Sequence, residues 1–578
     1  MNILGLSDWR GSHDSSAALV CDGRLLAAAE EERFSRVKHD GAVPLGAIDF
    51  CLRQGGMGLR DIDCIAFAGL PFRTGANSYM AELDRRFVLA AVRRGTFRLR
   101  TALHKSLLDA YLAVPILPRF DVERDRFVSA GLNAIERDFG ELPPIRYLGH
   151  HACHAAAAYL TSSLDAAALA TIDGVGDFYA TVAWKAQGAA LRRLRAEAPD
   201  NSLGLFYYDC TQYLGLGEHG EGKTMGLAPY GDPRLLEAVV GRVLSMPQAG
   251  WYRYAGALSP EEVGFAPRAG QSVLEAPFVH LAAACQARLE AAVARVVEDA
   301  AAQARCDDLC LGGGVMLNCA SNGALLAAGR FKSISVFPAT GDAGLSIGAA
   351  LLCAARAEDT RPVPPPDAYL GPAFSDGSCE AALAAQPRIA FQKVSDVATQ
   401  AAALLAQGKV IGWFQGRMEM GPRALGNRSI LADPRAAQIR DRVNRLKGRE
   451  EWRPLAPSVT AEKASHYFEL SGESPYMLFA SRVRPDKRAL VAGVVHVDGS
   501  ARPQTVRREQ NPRYYDLLRA FERHAGVPML LNTSFNAAGE PIVCSPEEAV
   551  KAFLAIGLDA LVLGDYVAVP RPTAASGA

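Results

Sequence analysis

Residues 168–177 read ALATIDGVGD. An apolar stretch ends at Asp173. The chain then turns through Asp173-Gly174-Val175-Gly176-Asp177, and strand-like segments return at 179–185 and 190–195. This is how a strand, a glycine-bearing turn and a following hairpin are written in sequence. The same grammar opens the chain: an apolar strand at 3–7, a polar turn at 8–14, a second strand at 15–20, the Asp22-Gly23 turn and a third strand at 25–30. Two such units imply a duplicated α/β fold, although the pattern alone also fits two unrelated hairpins. Each turn can bring backbone N–H groups up to an anion. Helical spacing of apolar residues occurs at 44–53 and 278–304. After the second of these helices, an apolar strand runs into Gly312-Gly313-Gly314. Without Cβ atoms, that backbone can either turn tightly or approach a nucleotide closely.

The 578-residue chain is 49% hydrophobic and 21% charged, so more than one hydrophobic core is expected. Its 62 basic and 62 acidic residues give a net charge of +0, which argues against nucleic acid or an anionic membrane as a partner. No apolar run is long enough to span a bilayer, and the opening residues do not read as a secretory signal. The 12 cysteines form no C-x-x-C pair, as expected of reduced thiols in a cytoplasmic protein. Residues 361–366 read RPVPPP, a stiff, extended segment. It suggests a first domain at 1–357, a linker at 358–376 and a second domain at 377–578.

Residues 149–154 read GHHACH. On a helix, His150 and His154 share a face and can bite one metal ion, whereas His151 points about a quarter-turn away. Two ligands hold a metal poorly. The missing ones should be oxygens at nearby strand ends: Asp173, and Asp342 in the glycine-flanked loop 338–344. A His₂Asp₂ set suits Fe(II), Mn(II) or Zn(II). Histidines also serve as core hydrogen-bonding residues, so the pair alone leaves both readings open.

Beyond the prolines, cations gather beside glycines, prolines and strand ends. Arg423 and Arg428 lie in GPRALGNRSI (421–430). Lys447, Arg449 and Arg453 follow, and then Arg502. A strand at 528–531 leads into Asn532, Thr533, Ser534 and Asn536. Guanidinium groups clasp phosphate through two N–H bonds and lysine adds a point charge, so these residues spell a polyanion pocket.

Taken together, these stretches resemble the O-carbamoyltransferases of antibiotic and nodulation-factor tailoring, which are cousins of the threonylcarbamoyl transferases. The resemblance also rests on HDSSAA (13–18), EEERFSR (30–36) with Lys38 and His39, EGKTMGLAPYG (221–231), and Gly313-Gly314 with Asn318 and Asn322. It implies an α/β architecture: a duplicated actin/ASKHA-type, ribonuclease-H-like domain followed by an α+β YrdC-like domain. It implies iron, or a similar divalent metal, on His150, His154, Asp173 and Asp342. His13 and Lys38 match positions beside the carbamoyl group or the acceptor, and the imidazole of His13 is a side chain suited to a general base. Gly313, Gly314 and Asn318 match the nucleotide side of the first domain. Arg423, Arg453 and Asn532 match ATP contacts; Lys447 and Arg502 match positions at carbamoyl phosphate and the reacting phosphates; Arg428, Arg449 and Ser534 are supporting members. The implied chemistry is formation of carbamoyl-adenylate from carbamoyl phosphate, ATP and Mg²⁺, followed by transfer to an alcohol of a small natural product. The enzyme would be a monomer or homodimer. An insertion at 72–125 is expected to shape the acceptor pocket. The competing readings are a small-molecule kinase, a tRNA-modifying transferase and a non-catalytic binding module of the same fold.

Overall fold

The computed structural model describes residues 1–9, 13–70 and 126–571. The insertion at 72–125 lies outside them. The chain divides into two compact units. One comprises Met1–Glu31, Asp40–Leu317 and Arg330–Pro364; the other comprises Glu32–His39, Asn318–Gly329 and Pro365–Ala578.

The first unit holds two five-stranded sheets. One is built from β1 (Asn2–Leu6), β2 (Ser16–Cys21), β3 (Arg24–Glu30), β4 (Cys64–Ala68) and β5 (Ile145–Leu148), in the order β3-β2-β1-β4-β5. The other is built from β6 (Ala166–Gly176), β7 (Tyr179–Gln187), β8 (Ala190–Glu197), β9 (Asp308–Gly312) and β10 (Ser333–Val336), in the order β8-β7-β6-β9-β10. Each sheet starts with an antiparallel three-strand meander and continues with two parallel strands.

Helix α1 (Leu45–Gly55) packs on β2 and β3. Helices α2 (His150–Leu160) and α4 (Leu345–Glu358) pack against each other, with α2 also on β6 and β9 and α4 also on β1, β2 and β4. The long α3 (Phe278–Ala304) covers β6 and β7. Small residues make the α2–α4 approach possible: Ala155 to Ala158 on one helix, and Ala349, Ala350, Ala354 and Ala355 on the other, are all buried. Covered strands lose polar alternation, and every residue of β4 is buried. The proline segment begins within this unit. Arg361 donates to the carbonyls of Tyr159 (3.1 Å), Ser162 (2.7 Å) and Leu164, closing the C-terminal end of α2, and Val363 N donates to Gly23 O at 2.9 Å.

The second unit is built on an eight-stranded mixed sheet. Its strands are β11 (Ile389–Lys393), β12 (Ile411–Phe414), β13 (Arg428–Ala432), β14 (Ala456–Thr460), β15 (Gln504–Val506), β16 (Met529–Ser534), β17 (Ala560–Leu563) and β18 (Tyr566–Pro570). Their order is β11-β18-β17-β12-β13-β16-β14-β15. Helices α5 (Val397–Ala406), α6 (Gln438–Leu446) and α7 (Pro512–Ala525) belong to this unit, and α5 packs on α7 over a core that includes Trp413, Tyr514, Phe521, Leu531 and Phe535. The strand expected to stop at Leu531 continues to Ser534. Asn532, Thr533 and Ser534 stay in register with Leu431, Ile430 and Ser429 of β13, so the polar triplet lies on a strand and not in a turn.

Candidate active site

The ladder between β6 and β7 slips between Ile172 and Gly176, which frees Asp173 from regular pairing at the end of the strand. Its Oδ1 accepts from Gly174 N at 2.7 Å. Its Oδ2 lies 2.7 Å from His154 Nε2 and 3.3 Å from His150 Nε2. The two imidazole Nε2 atoms are 3.0 Å apart. Asp342 opens the 3₁₀ turn Asp342–Gly344 that leads into α4, and its Oδ1 sits 3.7 Å and 3.6 Å from the same two nitrogens. Ligands about 2.1 Å from one metal stand about 3.0 to 3.4 Å from each other. The four ligand atoms all lie within 4.8 Å of one another, so the donor set fits a single divalent cation after small side-chain movements.

The electrostatics agree. Burial disfavours a charged His150, but the hydrogen bond with Asp173 and the charges of Asp342, Asp173 and Asp177 outweigh it and hold the imidazole up near 9. His154 is raised by the same balance. Burial also opposes ionisation of Asp173, yet both histidines together drive its carboxyl well below the usual range. Two carboxylates attract positive charge to this spot, and a bound cation would take the place of the imidazole protons.

Local structure fixes these ligands. Gly149 precedes α2 without a capping side chain, and Asp177, from the β6–β7 turn, supplies the cap: its Oδ2 accepts from His150 N at 2.6 Å. A Cβ on Gly176 would lie 2.1 Å from His150 Cδ2, so only glycine leaves room for the ring. Gly313 has φ +92, and a Cβ there would meet Ile172 O at 2.2 Å; the next residue, Gly314, lies against Asp173 Oδ1. Gly313 N donates to Thr340 O at 2.8 Å, which ties the glycine loop to the Asp342 loop. His151 takes no part in ligation. Its Nε2–H donates to Tyr179 O (2.9 Å), and its Nδ1 accepts from the Thr171 hydroxyl (3.0 Å). Burial, then the neighbouring His150 and His154, press it down to about 3, so it stays neutral and seats α2 on the second sheet.

His13 Nδ1 lies 2.7 Å from Asp14 Oδ2, a histidine–carboxylate pair. The His13 ring stands edge-on to His219, with centroids 4.9 Å apart. His219 precedes the EGKTMGLAPYG stretch and was not expected beside His13.

In the second unit, Lys447 follows α6 and is only 1% exposed. Its Nζ donates to Asn536 Oδ1 (3.0 Å), Ser534 Oγ (3.3 Å) and Ser534 O. Arg449 reaches Thr533 Oγ1 at 3.3 Å and Ser534 Oγ at 3.5 Å. Burial, then Arg449, Lys38 and Arg453, push the Lys447 amine well below its ordinary value. Lys38 is lowered by burial and, more weakly, by Arg449, Arg453 and Arg33, with Glu32 opposing. Arg449 falls to about 10 and Arg423 to about 9, each through burial and neighbouring cations, Arg502 among them. Arg453 is lowered mainly by burial, with Glu450 at 3.5 Å as its carboxylate partner. Arg423 Nε is buried without a hydrogen-bond partner. Cations crowded out of water and against one another await an anion.

Two family models match the chain. Residues 2–351 match the family model "Carbamoyltransferase N-terminus", and residues 402–569 match "Carbamoyltransferase C-terminus". The chain belongs to the carbamoyltransferase family. It is therefore an enzyme. An uncharacterized protein of Synechocystis sp. is 39% identical over 98% of this chain and 96% of its own length. Nodulation protein NolNO of Sinorhizobium fredii is 40% identical over 97% of this chain and 79% of its own length. The 3'-hydroxymethylcephem-O-carbamoyltransferase of Amycolatopsis lactamdurans is 38% identical over 44% of this chain and 48% of its own length.

Within this carbamoyltransferase, the four expected metal ligands come together, with Gly313 and Gly314 beside them. Lys38 and Asn318 belong to the second unit, whereas His13 belongs to the first. Asn532 is 1% exposed on β16, and its Nδ2 faces Ser458 Oγ (3.0 Å), Ala424 O (3.3 Å) and Gln504 Oε1 (3.3 Å). Arg428 is not in the cation pocket. It is fully buried, stacks 3.6 Å over the Phe414 ring and donates to the carbonyls of Gln415 (2.6 Å), Gly416 (3.3 Å), Asn427 (3.3 Å) and Pro372 (3.1 Å). Asp177 and His219 are the residues that sequence reasoning missed. Among the described residues, no helix is long and apolar enough to cross a membrane.

Proposed function

We propose that this carbamoyltransferase is an ATP-dependent O-carbamoyltransferase working in two stages. The observation that carries the reading is the cluster of buried Lys447 and half-buried Arg423, Arg449 and Arg453, together with the more exposed Lys38, in which desolvation and neighbouring cations disfavour the charge on each. A polyphosphate is the ligand that would relieve it. In the first stage water cleaves carbamoyl phosphate to carbamate and inorganic phosphate, and a carbamate oxygen attacks the α-phosphorus of Mg²⁺-bound ATP. Carbamoyl-adenylate forms and pyrophosphate leaves. Lys447, Arg449, Arg453 and Arg502 hold the negative charge as it moves to the leaving group, Arg423 and Asn532 hold the nucleotide, and Lys38 adds its charge to the same field.

The second stage is assigned to the first unit, read as a duplicated actin-type domain because its two sheets share one strand order. Gly313 and Gly314 leave room for the adenylate. His150, His154, Asp173 and Asp342 would hold a divalent metal, for which Fe(II) suits the mixed imidazole–carboxylate donors. When bound, that metal supplies positive charge for the adenylate's phosphate. An acceptor hydroxyl attacks the carbamoyl carbon and AMP leaves. His13, oriented through Nδ1 by Asp14, takes the hydroxyl proton at its other ring nitrogen. The name of the cephem O-carbamoyltransferase favours an acceptor hydroxyl on a small natural product; a sugar or polyketide alcohol is the class we assign to it.

Phosphorus NMR tests the first stage. ATP and carbamoyl phosphate with the enzyme should give AMP and pyrophosphate. ADP with phosphate as the only new species would place the enzyme among kinases and overturn the reading.

A further inference from the structure

Away from both sites, two thiols meet inside the first unit. Cys64 is the first residue of β4, and Cys353 lies in the third turn of α4; they are 2% and 1% exposed. Their Sγ atoms are 3.9 Å apart. Arg146 on β5 is exposed and in register with Ala66 of β4, Arg356 stands three residues further along α4, and both favour the Cys353 thiolate. The carbamoyl chemistry uses neither cysteine.

We propose that Cys64 and Cys353 form an oxidation site, in which hydrogen peroxide converts the two thiols into a disulfide joining β4 to α4. The step balances. The Cys353 thiolate attacks one peroxide oxygen and becomes a sulfenic acid, and the other oxygen leaves as water. The Cys64 thiol then attacks the sulfenic sulfur and expels a second water. Two thiols lose two hydrogens, and the O–O bond takes the two electrons. The roles follow from the surroundings. The hydrogen bond from Cys64, and beyond it the charges of Arg146 and Arg356, bring Cys353 down to about 7 against its burial, so its thiolate is present at neutral pH. Cys64 is driven the other way and stays a thiol, the form that resolves. Closure needs the sulfurs to approach from 3.9 Å to about 2.05 Å. Cys210 offers an internal control. It hydrogen-bonds Cys285, but burial, Cys285 and Asp209 all raise its thiol, and no guanidinium favours its thiolate.

The test uses the full chain with dilute hydrogen peroxide, followed by alkylation and peptide mass mapping without reductant. A linked peptide pair containing Cys64 and Cys353, lighter by two hydrogens, is expected. Its rate of formation should rise about tenfold between about pH 6 and about pH 8 as the Cys353 thiolate fills. In Cys64→Ser the reaction should stop at a sulfenic acid on Cys353, trapped by dimedone; in Cys353→Ser, Cys64 should stay unmodified. Full alkylation of both residues after peroxide has oxidised the half-buried Cys21 and Cys306 would overturn the proposal, as would linkage of Cys210 to Cys285 in preference to this pair.

Discussion

Replacing Asp177 with alanine should weaken metal binding at a site whose four ligands are left untouched. The carboxylate accepts from His150 N at 2.6 Å, at the first residue of the helix that carries both imidazoles. Losing a charge-assisted cap on buried backbone costs about 1 to 2 kcal/mol. Alanine leaves that N–H unsatisfied, and the first turn of α2 then opens more readily. His150 sits in that turn, whereas His154 lies one turn further in. At 1.4 kcal/mol per decade, the loss corresponds to roughly tenfold weaker metal affinity, in line with other groups that orient a ligand without touching the metal. Anaerobic competition with a chromophoric chelator for Fe(II) measures this, and hydrogen exchange at the His150 amide, about tenfold faster in the variant, reads the same event without metal. Asp177→Asn, which can still accept through its amide oxygen, should fall between wild type and alanine. Equal affinity and equal exchange in wild type and Asp177→Ala would refute the reasoning.

Other substitutions separate the two sites from the scaffold. Gly176→Ala puts a Cβ 2.1 Å from His150 Cδ2 and should cut metal affinity by more than about tenfold, with little change in circular dichroism. Lys447→Met should slow pyrophosphate formation by at least about 10²-fold. It should not lower the melting temperature of the ligand-free protein, because it removes a buried cation that its neighbours repel. The depressed Lys447 and Lys38 amines also give a pH signature. With folded pKa values below the unfolded ones, the unfolded chain binds more protons between them, so ligand-free stability should rise with pH across that window. Polyphosphate reverses the shift, so calorimetry of pyrophosphate binding in buffers of different ionisation enthalpy should show proton uptake. Arg428→Met should cost about 3 to 5 kcal/mol of stability, read by denaturant melts, because four carbonyl oxygens lose their buried donor; residual activity per folded molecule should be near wild type.

Local rules made the four clustered side chains legible. Spacing of four on a helix put His150 and His154 on one face, and the end of an apolar strand exposed Asp173. Asp342 stood out for a similar reason, between glycines after a strand. The rest depended on chain crossings. Asp177 caps a helix that begins 27 residues before it, a partnership that exists only once α2 and the β6–β7 turn are adjacent. His219 meets His13 through the same kind of distant contact. Arg428 shares a short motif with Arg423, but its place at the start of β13 aims it at Phe414 and backbone carbonyls. Residue type suggested a phosphate ligand for both arginines; the strand decided otherwise for one. The apolar run ends at Leu531, so Asn532 to Ser534 fall beyond the expected strand, and pairing with β13 extends the strand over them.

The division of labour between the two units is tested most directly by one measurement on Asp173→Asn, which removes the carboxylate that both imidazoles share. Pyrophosphate release and carbamoylation of an acceptor alcohol are followed together, with ATP and ¹³C-carbamoyl phosphate supplied. The account predicts that pyrophosphate release persists near the wild-type rate while labelled carbamate ester falls by at least about 10²-fold. Loss of both in equal proportion, or full retention of ester formation, would contradict it.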